Sequence, residues 1–155
     1  MKVLFVCTGN TCRSPMAEYL FNQLAGEAGH LAGSAGLAAW TGEPINDLAR
    51  DVLMADYAID ASSHRARRVS EHHVEEADLV LTMNSHQRDH LRHLLPDLAE
   101  KIQTIGEKAG QPQERVEDPF GFDREAYLIT ARQLERLIRQ ILGMENRSEA
   151  HGASE

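Results

Sequence analysis

At 155 residues the chain has room for one domain with a single core, and its composition of 42% hydrophobic and 26% charged residues is ordinary for a globular protein. No run approaches the roughly 20 apolar residues needed to cross a bilayer, which excludes a membrane-spanning helix. A formal charge of -8 excludes a broad basic face for nucleic acid. Arg65, Arg67 and Arg68 form a local basic spot, read first as a solvated face and second as a landing point for a phosphorylated substrate.

In chain order, Lys2 to Cys7 is a continuous apolar run, the pattern of a strand buried on both faces. It is too short for a signal peptide and lacks a small-residue cleavage site. With only Cys7 and Cys12 in the chain there is no disulfide framework, so a soluble cytoplasmic protein is expected. Ser14-Pro15 reads as an N-cap and first helical position, opening a helix over 16–28. Leu31 to Gly36 is a second strand. Pro44 is expected to open a helix in which Ile45, Leu48, Val52 and Leu53 share a face. Ala77 to Met83 is the third strand, and Asn84 or Ser85 starts a helix carrying Leu91, Leu94 and Leu95. Lys101 to Ile105 is the last strand. Gly106 to Glu117 is a long polar loop ending at Asp118-Pro119, of a length that is often functional. A final helix from about Asp123 to Leu142 places Tyr127, Ala131, Leu134, Ile138 and Ile141 on one face, and Gly143 can stop it. The domain therefore spans 1–142, with a polar tail over 143–155 expected to be disordered.

Strands alternating with helices imply an α/β fold, a parallel sheet with helices on both faces. Such sheets bind ligands beyond the carboxyl ends of their strands, where Cys7 sits. A phosphate dianion needs several N–H donors and a positive charge. The loop from Thr8 through Gly9, Asn10, Thr11 and Cys12 to Arg13 can supply both, because it leads into a helix N-terminus whose first amides have no internal partners. Gly9 is expected to adopt a backbone conformation that a Cβ would resist. Arg13 can hold two phosphate oxygens bidentately. A Cys7 thiolate in the same field is stabilised and can attack phosphorus, giving a phosphocysteine intermediate. Ser14 is placed to donate a hydrogen bond to that sulfur and improve it as a leaving group. Asp118 is the candidate proton donor to the departing atom, stiffened by Pro119. Spacing alone makes cysteine followed six positions later by arginine a weak signal. Its place between a buried strand and a Ser-Pro helix start strengthens it.

Together these residues resemble the low-molecular-weight protein tyrosine phosphatases over about residues 1 to 142. The stretch Val3 to Glu18 looks like that family's signature, followed in order by Ser34-Ala35-Gly36, Ser63-His64 with Ala66-Arg67, Asp78 to Met83, and Asp118-Pro119. The resemblance implies a single-domain, doubly wound, four-stranded parallel sheet of flavodoxin-like winding, with no metal or organic cofactor and a phosphorylated protein as substrate. It implies Cys7 as nucleophile, Arg13 as phosphate clamp and Asp118 as general acid. Asn10, Ser14, Ser34 and His64 match a hydrogen-bond network supporting the loop, and Trp40 matches a pocket wall. Cys12 matches a second cysteine that can pair with the nucleophile and protect it from over-oxidation.

Two departures bear on substrate. Family members acting on phosphotyrosine commonly carry a bulky aliphatic residue where this chain has Thr11, and aromatics directly after Asp-Pro where it has Phe120-Gly121. Both look like the protein-arginine phosphatase branch, so phosphoarginine is favoured over phosphotyrosine. An arsenate reductase would need further resolving cysteines, and none follows Cys12. A non-catalytic phosphoprotein-binding module would be expected to lack Cys7 or Asp118. His86, His90 and His93, like His72-His73, are read as solvated helix residues rather than metal ligands. Oligomeric state is not indicated by the residues.

Overall fold

The computed structural model describes residues 1–145. Four strands, β1 (Lys2–Cys7), β2 (Leu31–Gly36), β3 (Leu79–Thr82) and β4 (Ile102–Thr104), form one parallel sheet in the order β2-β1-β3-β4. Six α-helices connect or flank them: α1 (Arg13–Ala25), α2 (Asp47–Tyr57), α3 (Glu71–Glu76), α4 (Ser85–Leu94), α5 (Ile105–Lys108) and α6 (Arg124–Ile141). The chain passes from β1 outward to β2, then returns to the other side of β1 for β3 and β4. That reversal opens a crevice at the carboxyl end of β1, which is the expected doubly wound arrangement.

The unbroken apolar run of β1 has its explanation in two cores. Val3, Phe5 and Cys7 enter a cluster with Met16, Leu20 and Phe21 of α1, Val52 and Leu53 of α2, and Tyr127, Leu134 and Ile138 of α6. Leu4 and Val6 point the other way, into a smaller cluster with Val74 of α3, Val80, Leu91 of α4 and Ile102. Each such fully buried side chain contributes roughly 1.5–3 kcal/mol relative to exposure. β1 is thus clamped from both faces, which gives Cys7 a fixed starting point.

Several helix boundaries differ from expectation. α1 begins at Arg13, so Cys12 occupies the N-cap without a side-chain cap bond and Pro15 is the third helical residue. Proline is tolerated there because first-turn amides have no intrahelical acceptor, and Ser14 is left free for other partners. α1 also stops at Ala25, where Gly26–Ala28 tighten into a 3-10 turn. α2 starts at Asp47, not Pro44, because the Asn46 side chain accepts from the amides of Leu48 and Ala49 at 2.9 and 3.4 Å. Pro44 instead bridges to Arg65. Leu94 on α4 is 55% exposed, and the buried residues of that helix are Gln87 and Leu91.

α3 and α5 were not anticipated. Each is a short helix set by a reciprocal capping box, Ser70 with His73 and Thr104 with Glu107. α5 takes the first part of the expected 106–117 loop. α6 runs as expected, capped by Asp123 and followed by Gly143 at φ 71°. Of the polar tail, residues 146–155 lie outside those described. Among the described residues no helix is long and apolar enough to cross a membrane.

Candidate active site

The segment after Cys7 leaves the sheet and turns into α1. Among the described residues, the main-chain amides of Gly9 to Arg13 have no acceptor, so the turn presents a run of unpaired N–H groups beside the Cys7 thiol. Its shape comes from Asn10, not Gly9. Asn10 is the residue in the left-handed region, at φ 56°, whereas a Cβ on Gly9 would meet only Thr11 Oγ1 at an ordinary 3.6 Å. The expectation for Gly9 is corrected accordingly.

What holds Asn10 there is its side chain, which is fully buried. Its Oδ1 accepts from the Arg67 amide at 3.0 Å, and its Nδ2 donates to Ser14 Oγ at 2.8 Å and to Ser34 Oγ at 2.9 Å. His64 Nε2 sits 2.8 Å from the Asn10 carbonyl oxygen. Ser14 Oγ in turn lies 3.0 Å from Cys7 Sγ. Because Ser14 already accepts from Asn10, its own proton is available to the sulfur. Asn10, Ser14, Ser34 and His64 are therefore brought together as the resemblance implied.

Neighbouring loops are strapped to this turn. Leu37 and Ala38 donate to the carbonyls of Cys7 and Thr8, and Asn46 donates to that of Thr11, each at 2.9 Å. Gly36, paired with Cys7 across the ladder, is required by close approach: a Cβ would stand 2.6 Å from the Thr8 carbonyl oxygen. From the other side, Arg13 Nη1 donates to the Val116 carbonyl at 3.1 Å and Nη2 lies 3.7 Å from Asp118 Oδ2. The buried guanidinium thus joins the cysteine loop to the exposed Asp118 carboxylate from the distant 109–123 loop. Phe120 donates its amide to Asp118 Oδ1 at 3.1 Å.

Thr11 is half-buried, while Trp40 and Phe120 stand 80% and 68% exposed on the two loops that flank the turn. Cys7 and Cys12 are both free thiols; Cys12 Sγ is 3.6 Å from Tyr127 Oη, and burial pushes the Cys12 thiol up. Arg65, Arg67 and Arg68 are exposed, which suits a solvated face and a landing point alike, and Arg67 Nε also donates to the Ser34 carbonyl at 2.9 Å. His86, His90 and His93 are exposed on α4, and His73 serves the α3 cap.

Two members of the site carried no signal that the residue pattern alone could interpret. Gln87 is buried and links Met83 to Thr8: its Oε1 accepts from the Met83 amide and its Nε2 donates to Thr8 Oγ1 at 3.2 Å. Glu18, one turn beyond Ser14 on α1, accepts from Ser34 Oγ at 2.5 Å. Burial pushes its carboxyl up, while the Ser34 hydrogen bond, His64 and Arg67 draw it down. The i, i+4 relation of Ser14 and Glu18 was visible, but nothing in it announced that Ser34 would sit between them.

A family model for low molecular weight phosphotyrosine protein phosphatases matches residues 2–151. The chain belongs to that family. A protein-arginine-phosphatase of Bacillus subtilis is 35% identical over 143 residues, 91% of this phosphatase and 94% of the relative. The low molecular weight protein-tyrosine-phosphatase Wzb of Salmonella typhi is 32% identical over 139 residues, 90% of each chain. Among solved structures, a low molecular weight protein tyrosine phosphatase from T. tengcongensis has a TM-score of 0.89 at 45% identity, covering 92% of this phosphatase and 98% of that chain. An arginine phosphatase, as a cysteine-to-serine mutant with a phosphorylated active-site serine, gives 0.87 at 34% identity, covering 92% and 94%. Arginine and tyrosine phosphatases thus stand at comparable distances.

Proposed function

We propose that this phosphatase hydrolyses phosphorylated protein side chains through a phosphocysteine intermediate, with phosphoarginine preferred over phosphotyrosine. The observation that carries the chemistry is the run of unpaired amides from Gly9 to Arg13 beside a Cys7 sulfur that Ser14 approaches to 3.0 Å. A phosphoryl group seated on the amides of the 8–13 loop, with Arg13 on its oxygens, faces the Cys7 thiolate. The sulfur attacks phosphorus, the bond from phosphorus to the leaving nitrogen or oxygen breaks, and Asp118 delivers a proton to the departing atom. Asp118, now a carboxylate, takes a proton from water as that water attacks phosphocysteine. The S–P bond breaks, the Ser14 proton stabilises the returning thiolate, and inorganic phosphate leaves. Asn10, Ser34 and His64 keep the loop in the shape this requires. The phosphorylated serine of the related mutant supports a phosphoryl group transferred to this position in the family.

The substrate preference rests on Thr11. Its side chain is small and brings a hydroxyl to the loop, where a branched aliphatic chain would crowd a guanidinium and exclude its polar contacts. Asp118 suits a cationic leaving group, and the exposed Trp40 face can stack on a guanidinium plane, with Phe120 on the opposite loop. Cys12 is assigned the protective role: a Cys7 sulfenic acid condenses with the Cys12 thiol to a disulfide and water. Two free thiols suit a reducing compartment, so the cytosol is inferred. α6 completes the main core and supports a catalytic unit spanning 1–142. Neither a metal nor an organic cofactor enters these steps.

The test is a side-by-side assay of phosphoarginine and phosphotyrosine peptides with the parent, Cys7→Ser and Asp118→Ala. Cys7→Ser is expected to lose turnover and still bind vanadate. Asp118→Ala is expected to slow most on poor leaving groups. Turnover by Cys7→Ser at the parent rate would refute the mechanism, and a higher kcat/KM on phosphotyrosine would refute the preference.

A further inference from the structure

The network behind Cys7 contains an ambiguity that its own hydroxyls do not remove. Asn10 presents its side-chain amide to two hydroxyls, Ser14 and Ser34, at 2.8 and 2.9 Å. In one orientation the amide donates to both; flipped, it accepts from both. Only the first leaves the Ser14 proton for Cys7. In the second, Ser14 spends its proton on Asn10 and turns a lone pair to the sulfur. The network must therefore be polarised from outside.

Two groups do so. The Arg67 amide requires an acceptor at Asn10 Oδ1, 3.0 Å away. At the far end, Glu18 Oε1 lies 2.5 Å from Ser34 Oγ. A carboxylate only accepts, so it claims the Ser34 proton. Ser34 can then only accept from Asn10, and Asn10 donates also to Ser14. The hydroxyl polarised by a carboxylate is also the stronger acceptor for the next donor.

We propose that Glu18 is a positioning residue of the reaction: through Ser34 and Asn10 it fixes the direction of the hydrogen-bond chain so that Ser14 donates to Cys7. This rests on the proposed role of Cys7 as nucleophile. Glu18 touches neither substrate nor sulfur, and lines instead a polar pocket with Tyr19, Ser63, His64, Arg65 and Arg67. Its effect is felt when the thiolate must leave phosphorus, the step in which a donor to sulfur matters most.

The experiment is a double-mutant cycle read by pre-steady-state kinetics on p-nitrophenyl phosphate. In Glu18→Ala, kcat falls about tenfold, the scale of one hydrogen bond to a charged group, with a larger burst of nitrophenolate as phosphoenzyme accumulates. KM falls in parallel with kcat, so kcat/KM and vanadate affinity stay at the parent's values. Glu18→Gln, which retains an acceptor oxygen, recovers most of the rate. Glu18→Ala combined with Ser14→Ala is no slower than Ser14→Ala alone, because both changes remove one interaction. Additive losses, or a Glu18→Ala burst equal to the parent's, overturn the proposal. Glu18→Met carries the same cycle if the alanine variant does not fold. Turnover by Cys7→Ser would instead sink the mechanism beneath it, so the two failures are separable.

Discussion

At the scale of residues, the buried polar side chains behind the cysteine loop are hydrogen-bonded to one another. Asn10 tolerates φ 56° because three side-chain hydrogen bonds and the His64 contact offset about 1–2 kcal/mol of left-handed strain. Thr11, next along, is half-buried; its carbonyl accepts from Asn46, and its hydroxyl has only a long 3.9 Å contact with Cys12 Sγ. That weakly held side chain is the one to which the proposed preference is assigned. Thr11→Ile is expected to move the ratio of kcat/KM for phosphoarginine over phosphotyrosine toward phosphotyrosine, on the order of tenfold as one methyl-scale change in a pocket allows. An unchanged ratio in paired peptide assays would count against the preference. Cys7, Arg13, Ser14 and Asp118 were legible as candidates because each is assigned, in the proposed mechanism, a chemical task that few residue types can perform. Gly9 misled, since glycine is only one way to reach a tight turn and a fully bonded asparagine is another. Gln87 and Glu18 were illegible because their roles depend on what the fold places beside them.

At the scale of elements, the sheet and the long helices followed from apolar periodicity, and the misses were short or turned on caps. α5 has four residues, too few for a period, and exists because Thr104 accepts from the Glu107 amide while Glu107 accepts from the Thr104 amide at 2.8 Å. That backbone hydrogen bond, aided by Arg88 and set against a burial penalty, holds the Glu107 carboxyl below its ordinary value of 4.5. A carboxyl depressed in the folded state stabilises fully above the unfolded value and loses that contribution as pH falls through the folded one. Glu107→Ala is therefore expected to cost about 1 kcal/mol at pH 7, with the gap to the parent closing below about pH 4. Urea denaturation at the two pH values measures it. A gap that persists in acid would show that the carboxylate charge is not the cause.

At the scale of the molecule, the two halves of the chemistry come from opposite ends of the chain. The cysteine loop follows the first strand, and Asp118 arrives just before the last helix. Arg13 joins them through the Val116 carbonyl, and α6 seals the core beneath both. A site assembled this way should not outlast the fold. Leu134→Ala, deleting a fully buried α6 side chain outside the cysteine loop, is expected to destabilise by about 2–5 kcal/mol and to lower Tm by roughly 2–4 °C for each kcal/mol. Circular dichroism and activity should be lost in one coincident transition. Activity lost well before the helical signal would show instead that the 109–123 loop comes loose on its own.

The Asn10 amide is also a point at which one small chemical change would be felt. Hydrolysis of that one group exchanges NH2 for oxygen with almost no change in shape, yet it converts the double donor into a group that only accepts. Ser14 and Ser34 would lose the hydrogens they receive, and a new negative charge would sit buried between Cys7 and Glu18. A molecule changed at this position would keep its mass to within about one dalton and its cysteine. It would be distinguishable from fresh protein chiefly by charge and by the turnover it no longer performs.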